Sequence, residues 1–181
     1  NIVYDEIKRL SRLVSDLLDI SAMEEGKFKL NMVEFDINIL IKQCIANFDG
    51  KIRNKGVNVE VTFGREHEFV YADRDRLIQV LTNIIDNAIK YSNDDGCIKI
   101  TTNDKGSKVY VSVFNNGPLL KSEELARIWD RFYKSDKARI NKESTGLGLP
   151  IVRLILAQHG EDIWVNNEKD GVRFTFTISK I

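Results

Sequence analysis

The chain has 181 residues, 43% of them hydrophobic, which is enough for one domain of ordinary size with a sizeable core plus an appendage. Lysine plus arginine number 27 and aspartate plus glutamate 27, so no net field draws the chain toward nucleic acid, a membrane surface or acidic substrates. Cys44 and Cys97 lie in periodic apolar segments without metal-knuckle or disulfide-framework spacing, and both are expected to be buried free thiols in a reducing cytoplasm.

From the start, Val3, Ile7, Leu10, Val14 and Leu17 recur at alternating spacings of four and three, with Leu13, Leu18 and Ile20 widening the stripe. This predicts an amphipathic helix over residues 1–25 that either lies on its own domain or, as the 3.5-residue spacing favours, has a seam that wants a partner helix, as in half of a helical bundle or dimer. The stretch has no initiator methionine or signal-like segment, so the chain reads as a piece of something longer. No apolar run reaches bilayer length, because even Leu147 to Ala157 is broken by Pro150 and Arg153.

Gly26 is expected to end the first helix, and residues 26–181 to form the compact domain. Lys27 to Phe35 reads as a strand or extended arm. Asp36 can cap a helix carrying Ile37, Leu40, Ile41, Cys44, Ile45 and Phe48 and running to about Gly56, followed by a strand through Val57, Val59, Val61 and Phe63. A short strand over Phe69 to Ala72 leads to Asp73, a second cap, and to a helix with Leu77, Val80, Leu81, Ile84, Ile85 and Ala88 on one face. Cys97 to Thr102 and Lys108 to Phe114 form a hairpin around Asn103 to Gly106. A last helix runs from Leu147 to Gly160, before strands at Asp162 to Val165 and Val172 to Ile178. The alternation of Val109, Val111 and Val113, and of Val172, Phe174, Phe176 and Ile178, implies a sheet covered by helices on one face. The expected fold is a two-layer α/β sandwich preceded by a helical arm.

Within the Asp73 helix, Asn83 and Asn87 stand one turn apart, followed by Lys90 and Tyr91. Asn weakens a helix relative to Lys, Glu or Gln, so two of them at the edge of an apolar face point to a ligand. Asn87 is the candidate Mg2+ ligand, since an amide oxygen is a hard donor; Lys90 would neutralise phosphate and Tyr91 would line the site. Asn115-Asn116-Gly117-Pro118 follows a strand. It reads as an ordinary turn by itself, but Asn115 could accept from the adenine amine and Gly117 could let the base approach. Trp129 to Lys134 is aromatic and cationic and precedes the polar run Ser135 to Ser144, which reads as a solvated loop or as a lid over phosphates. Thr145-Gly146-Leu147-Gly148-Leu149 opens the last helix, whose free N–H groups and dipole favour an anion, with Pro150 fitting the first turn. The Walker lysine is missing and no register yields GxGxxG, so neither a P-loop nor a dinucleotide fold is indicated. His67, in a charged turn, and His159, beside Gly160 at a helix end, lack any nucleophile or metal-ligand pattern. For His159 the helix dipole is explanation enough.

Taken in order, Asn83 to Tyr91, Asn115 to Gly117, Trp129 to Lys134 and Ser144 to Leu149 resemble the N box, first glycine box, F box and second glycine box of the catalytic domain of bacterial sensor histidine kinases. The resemblance implies the α+β Bergerat fold shared with gyrase-type ATPases, Hsp90 and MutL, with a mixed, mostly antiparallel sheet. It implies ATP and Mg2+ as cofactors, with Asn87 on the metal. Asn83, Lys90, Tyr91, Asn115, Gly117, Arg131, Phe132, Tyr133, Lys134, Thr145, Gly146, Leu147, Gly148 and Leu149 would contact nucleotide, and a lid would run over residues 134–145. It also makes the first helix the second helix of a dimerisation and phosphotransfer hairpin. The implied activity is protein-histidine kinase, with the phosphoacceptor histidine on an upstream helix outside this chain and no catalytic residue within it. The implied partners are that helix, a cognate response regulator and a second copy in the full-length protein, which would be membrane-anchored with this part in the cytoplasm. Alternatives are a non-catalytic nucleotide-sensing module and a gyrase-like or Hsp90-like ATPase. Asn115 stands where the family usually has Asp, and Leu119 and Ser144 where it has glycines. Asn115 keeps an acceptor for adenine but loses charge, for an affinity loss on the order of 1 kcal/mol.

Overall fold

The computed structural model describes residues 2–134 and 144–181, with the side chains of Ile2 and Asp5 left aside. The chain forms α1 (Ile2–Glu24), β1 (Met32–Asp36), α2 (Ile37–Ala46), α3 (Asp49–Lys55), β2 (Asn58–Phe63), β3 (Phe69–Asp73) and α4 (Arg74–Tyr91). It continues with β4 (Cys97–Lys105), β5 (Lys108–Asn116), α5 (Ser122–Arg127), α6 (Gly148–Gln158), β6 (Ile163–Glu168) and β7 (Gly171–Ser179). A five-stranded sheet has the order β2-β4-β5-β7-β6, with β2 parallel to β4 and the other pairs antiparallel. The expected α+β sandwich is therefore the observed architecture.

The core follows from the two periodicities. Ile98 and Ile100 of β4, Val109, Val111 and Val113 of β5, and Phe176 and Ile178 of β7 alternate along their strands and are at most 1% exposed. The helical layer presents Leu77, Val80, Leu81, Ile84 and Ile85 from α4 and Ile151, Val152, Ile155 and Leu156 from α6, all in one apolar cluster with the sheet. Thr175 of β7 lies opposite Ser112 of β5, and their hydroxyls hydrogen-bond at 2.9 Å. Tyr110 of the same β5 face meets Trp164 edge to face.

Several local expectations shift. The helix capped by Asp36, whose carboxylate accepts from the Asn38 N–H at 2.9 Å, is interrupted at Asn47, because Phe48 turns inward and α3 starts anew before ending at left-handed Gly56. The stretch from Lys27 keeps only β1, which pairs with β3 in a separate two-stranded sheet. The hairpin turn narrows to Gly106-Ser107, because Asn103 and Asp104 stay paired with Tyr110 and Val109. Helix α5 was not foreseen: it is too short to show a period, and its start is marked by Glu124 accepting from the Lys121 N–H at 2.7 Å. Cys44 is buried and its thiol is pushed up to about 11 by burial, with Arg74 only partly offsetting; Cys97 is half-buried rather than buried.

In α1 only the C-terminal end is in the core, where Ile20 and Met23 are buried, while Val3, Ile7, Leu10, Val14 and Leu17 are exposed. No helix among the described residues is long and apolar enough to cross a membrane.

Candidate nucleotide site

A cleft of about 290 Å3 opens between α4, the first turn of α6 and the loop that follows β5. One wall is α4. Asp73 caps it by accepting from the Arg76 N–H at 3.2 Å, and its apolar stripe clamps it to the core. That clamp leaves Asn83, Asn87 and Lys90 half-buried at the rim and Tyr91 37% exposed, all four lining the cleft. Lys90 is not isolated: its Nζ lies 2.7 Å from Asp86 Oδ2, while Lys51 Nζ lies 2.7 Å from Asp86 Oδ1. Burial alone would raise the Asp86 carboxyl, but Lys90 and Lys51 outweigh it and hold the group below the usual carboxylate range. Burial, with Asp86 and Glu124 nearby, pushes the Tyr91 phenol up, so it stays protonated as a donor at neutral pH.

The opposite wall is made by backbone. Gly146 has φ 75°, and a Cβ there would come within 2.9 Å of the Phe132 backbone, to which Gly146 is tied by the Phe132 N–H donating to its carbonyl at 3.0 Å. Gly148 lies so close to α4 that a Cβ would sit 3.1 Å from Asn83 Oδ1. Thr145 Oγ1 accepts from the Leu147 N–H at 3.3 Å, and the Leu147 carbonyl accepts the Ile151 N–H at 3.1 Å. The N–H groups of Gly148 and Leu149 thus precede the first bonds of α6, and Pro150 has none to offer, which leaves a helix N-terminus facing the cleft.

The third side is the end of β5. Asn115 is 3% exposed yet lines the cleft, held between Ile98 of β4 and Val172 of β7. Its Nδ2 donates to the Asn116 carbonyl at 3.4 Å, a long bond.

Of the residues expected at the site, Asn83, Asn87, Lys90, Tyr91, Asn115, Tyr133, Lys134, Thr145, Gly146, Gly148 and Leu149 are brought together. Gly117, Arg131, Phe132 and Leu147 are not among the lining residues. A Cβ on Gly117 would meet the Tyr91 carbonyl at 2.2 Å, so this glycine seats the loop against the end of α4. Arg131 pairs with Glu24 of α1, Phe132 is exposed, and Leu147 is fully buried in the core. Most of the expected lid, residues 135–143, lies outside the described residues. The sequence reading missed Asp86, although its spacing of four from Lys90 is an ion-pair signal. It also missed Arg12 and Asp16 of α1, Lys121 and Glu124 about α5, and Phe174, whose approach depends on how distant segments pack. Neither histidine lines the cleft. His159 Nε2 lies 3.0 Å from the Asp73 N–H and Nδ1 lies 2.8 Å from the Ile155 carbonyl, so the ring ties α6 to the cap of α4. His67 bonds to Asp36 at 2.8 Å on the other sheet.

Residues 72–180 match the family described as histidine kinase-, DNA gyrase B- and HSP90-like ATPase. The chain is 36% identical over 168 residues to the sensor protein SrrB of Staphylococcus aureus (strain MRSA252), which covers 92% of the chain but only 29% of SrrB. Among solved structures, the catalytic domain of histidine kinase ThkA superposes with a TM-score of 0.77 at 38% identity, covering 83% of this chain and 97% of that one. ThkA in complex with the response regulator TrrA superposes with a TM-score of 0.81 at 36% identity, covering 100% of this chain and 50% of that one. The histidine kinase AdeS of Acinetobacter baumannii gives 0.82 at 28% identity, covering 97% and 81%. The chain belongs to the histidine kinase-, DNA gyrase B- and HSP90-like ATPases, and the part of it resembling ThkA is a histidine kinase catalytic domain.

Proposed function

We propose that this chain is the kinase core of a two-component sensor, which binds Mg-ATP in the α4/α6 cleft and presents the γ-phosphate to a histidine on an upstream helix. The observation that carries the reading is the convergence of Asn83, Asn87, Lys90 and Tyr91 with Thr145, Gly146 and Gly148 on one cleft from segments far apart in sequence. The donor set fits the nucleotide and its metal. Asn83 and Asn87 are neutral hard oxygens, and Asp86 is already engaged by two lysines, which suits an ion that completes its sphere with water and phosphate. Asn87 would hold Mg2+, Lys90 and the N–H groups of Gly148 and Leu149 would bind phosphate, Tyr91 would donate a hydrogen bond, and Asn115 would accept from adenine. Tyr133, Lys134 and Leu149 would close the wall, with Arg131, Phe132, Gly117 and Leu147 supporting it from behind. ATP, when bound, supplies the transferable phosphoryl group. The protein's share is positioning and charge neutralisation, as phosphoryl transfer demands.

The same reading divides the chain into 1–25, the second helix of a dimerisation and phosphotransfer hairpin, and 26–181, the catalytic domain. The exposed stripe from Val3 to Leu17 suits a partner helix, which supports a homodimer. A response regulator is the expected acceptor of the phosphate, by analogy with the ThkA–TrrA complex. The whole protein would be membrane-anchored with this part in the cytoplasm.

Calorimetry with millimolar ATP or ADP and Mg2+ tests the first step, and no heat of binding would sink it. Addition of a separately made upstream helix with its histidine tests the second. Phosphate on that helix is the expected result. Tight binding without transfer would leave a nucleotide-sensing module, and hydrolysis by the chain alone would point to a gyrase-like ATPase.

A further inference from the structure

One face of α1 changes character along its length. Met23 and Ile20 are buried in the domain's core, whereas Asp16 and Arg12, one and two turns before Ile20 on the same face, line the nucleotide cleft. The C-terminal end of α1 is tied down on three sides. Asp19 accepts from Arg76 Nη1 and Gln79 Nε2 of α4, each at 3.2 Å; the Met23 carbonyl accepts from Gln158 Nε2 of α6 at 3.3 Å; and Glu24 pairs with Arg131.

These ties also set the level of Arg12. Met23 stands beside Gln158 at the end of α6, and Asp16 and Arg12 share the cleft with Gly148, Leu149 and Pro150 at its start, so the two helices run in the same direction. At about 1.5 Å per residue, Arg12 to Met23 and Leu147 to Gln158 each span about 16 Å, which puts Arg12 and Asp16 level with the anion-favouring first turn of α6. Arg12 is exposed and carries five N–H donors in a planar fork, the form best matched to phosphate oxygens. Asp16 is half-buried. Burial raises its carboxyl, Arg12 lowers it and Asp19 raises it further, so its charge is held at a cost beside the same cleft.

We propose that α1 completes the phosphate end of the nucleotide site, with Arg12 contacting the terminal phosphates and Asp16 opposing them by competing for the guanidinium. This rests on the proposed Mg-ATP reading and adds to it that the arm distinguishes a triphosphate from a monophosphate. Because coupling is reciprocal, ATP holds the arm on the domain more firmly than AMP does.

Calorimetric titration of the whole chain with ATP and with AMP, each with Mg2+, tests the assignment in wild type, Arg12→Ala, Arg12→Lys and Asp16→Asn. Arg12→Ala is expected to weaken ATP about five-fold while leaving AMP within about two-fold, with Arg12→Lys recovering part of the loss, as for a charge-assisted bond. Asp16→Asn is expected to tighten ATP about three-fold with AMP unchanged, the sign of a removed like charge. A merely structural role would weaken both nucleotides together and lower the melting temperature. An ATP-to-AMP affinity ratio equal in all four chains overturns the role of the arm while leaving Mg-ATP binding intact; no binding of ATP by the wild type overturns both.

Discussion

The two walls of the cleft are built in opposite ways. The α4 wall is a helix clamped by a continuous apolar stripe, and it presents function through side chains at one-turn spacing, Asn83, Asn87 and Tyr91. The wall made by residues 144–150 presents backbone. Its shape depends on a left-handed Gly146 against Phe132, on Gly148 against Asn83, and on Leu147 pointing away into the core. Substitution on the first wall should therefore change chemistry while sparing the fold, and on the second it should change both.

Leu147→Ala is the strongest way to break the contrast. Its side chain is fully buried, so truncation is expected to cost about 3 kcal/mol of stability, read from the urea midpoint, and to weaken nucleotide binding by loosening the wall. Gly117→Ala comes next, at roughly 2–3 kcal/mol, because φ is 154° and the new Cβ would strike the Tyr91 carbonyl. Gly50→Ala is its control: this helical glycine meets nothing within 4 Å, so the change should be neutral or mildly stabilising. Equal costs for the two would show that close approach is not what Gly117 provides.

Asn87→Ala sharpens the other side. The Mg2+-dependent part of nucleotide binding should disappear in calorimetry while the unfolding free energy moves by less than about 1 kcal/mol, since the residue sits at the rim of the core. Loss of the fold would make Asn87 structural and erase the distinction between the walls. The smallest effect concerns acid. Asp86 has its carboxyl lowered from the model-peptide value of 3.8, so its contribution to stability is fully present above that pH and is lost as pH falls through its lower folded value. Urea midpoints measured downward from pH 6 should fall in this window, and fall less in Asp86→Asn. Identical acid profiles for the two chains would mean that the Lys51 and Lys90 pairs contribute nothing measurable.

Legibility in the sequence followed the same division. The stripe from Leu77 to Ala88, the caps Asp36 and Asp73 and the alternation in β5 and β7 are local signals, and each produced its element nearly in place. Asn83, Asn87, Lys90 and Tyr91 were legible because helical periodicity alone puts them at one rim. Gly117 and Leu147 were recognisable as parts of a pattern but not as supports, since whether a residue lines a cleft or backs it depends on what packs behind it. The pairing of β1 with β3 escaped for a related reason: its partners lie tens of residues apart in the chain.

The amino-acid sequence by itself determined most of the elements, the covered face of the sheet and the polar rim of α4, because period, capping and propensity act within a few residues. Only the tertiary structure decided that Lys51 of α3 joins Asp86 of α4, that the glycine wall rests on Phe132 and Asn83, and that Arg12 and Asp16 of the arm reach the cleft. Those facts depend on close approach between distant segments. Close packing of a folded core sets such distances to fractions of an ångström, and no local pattern encodes them.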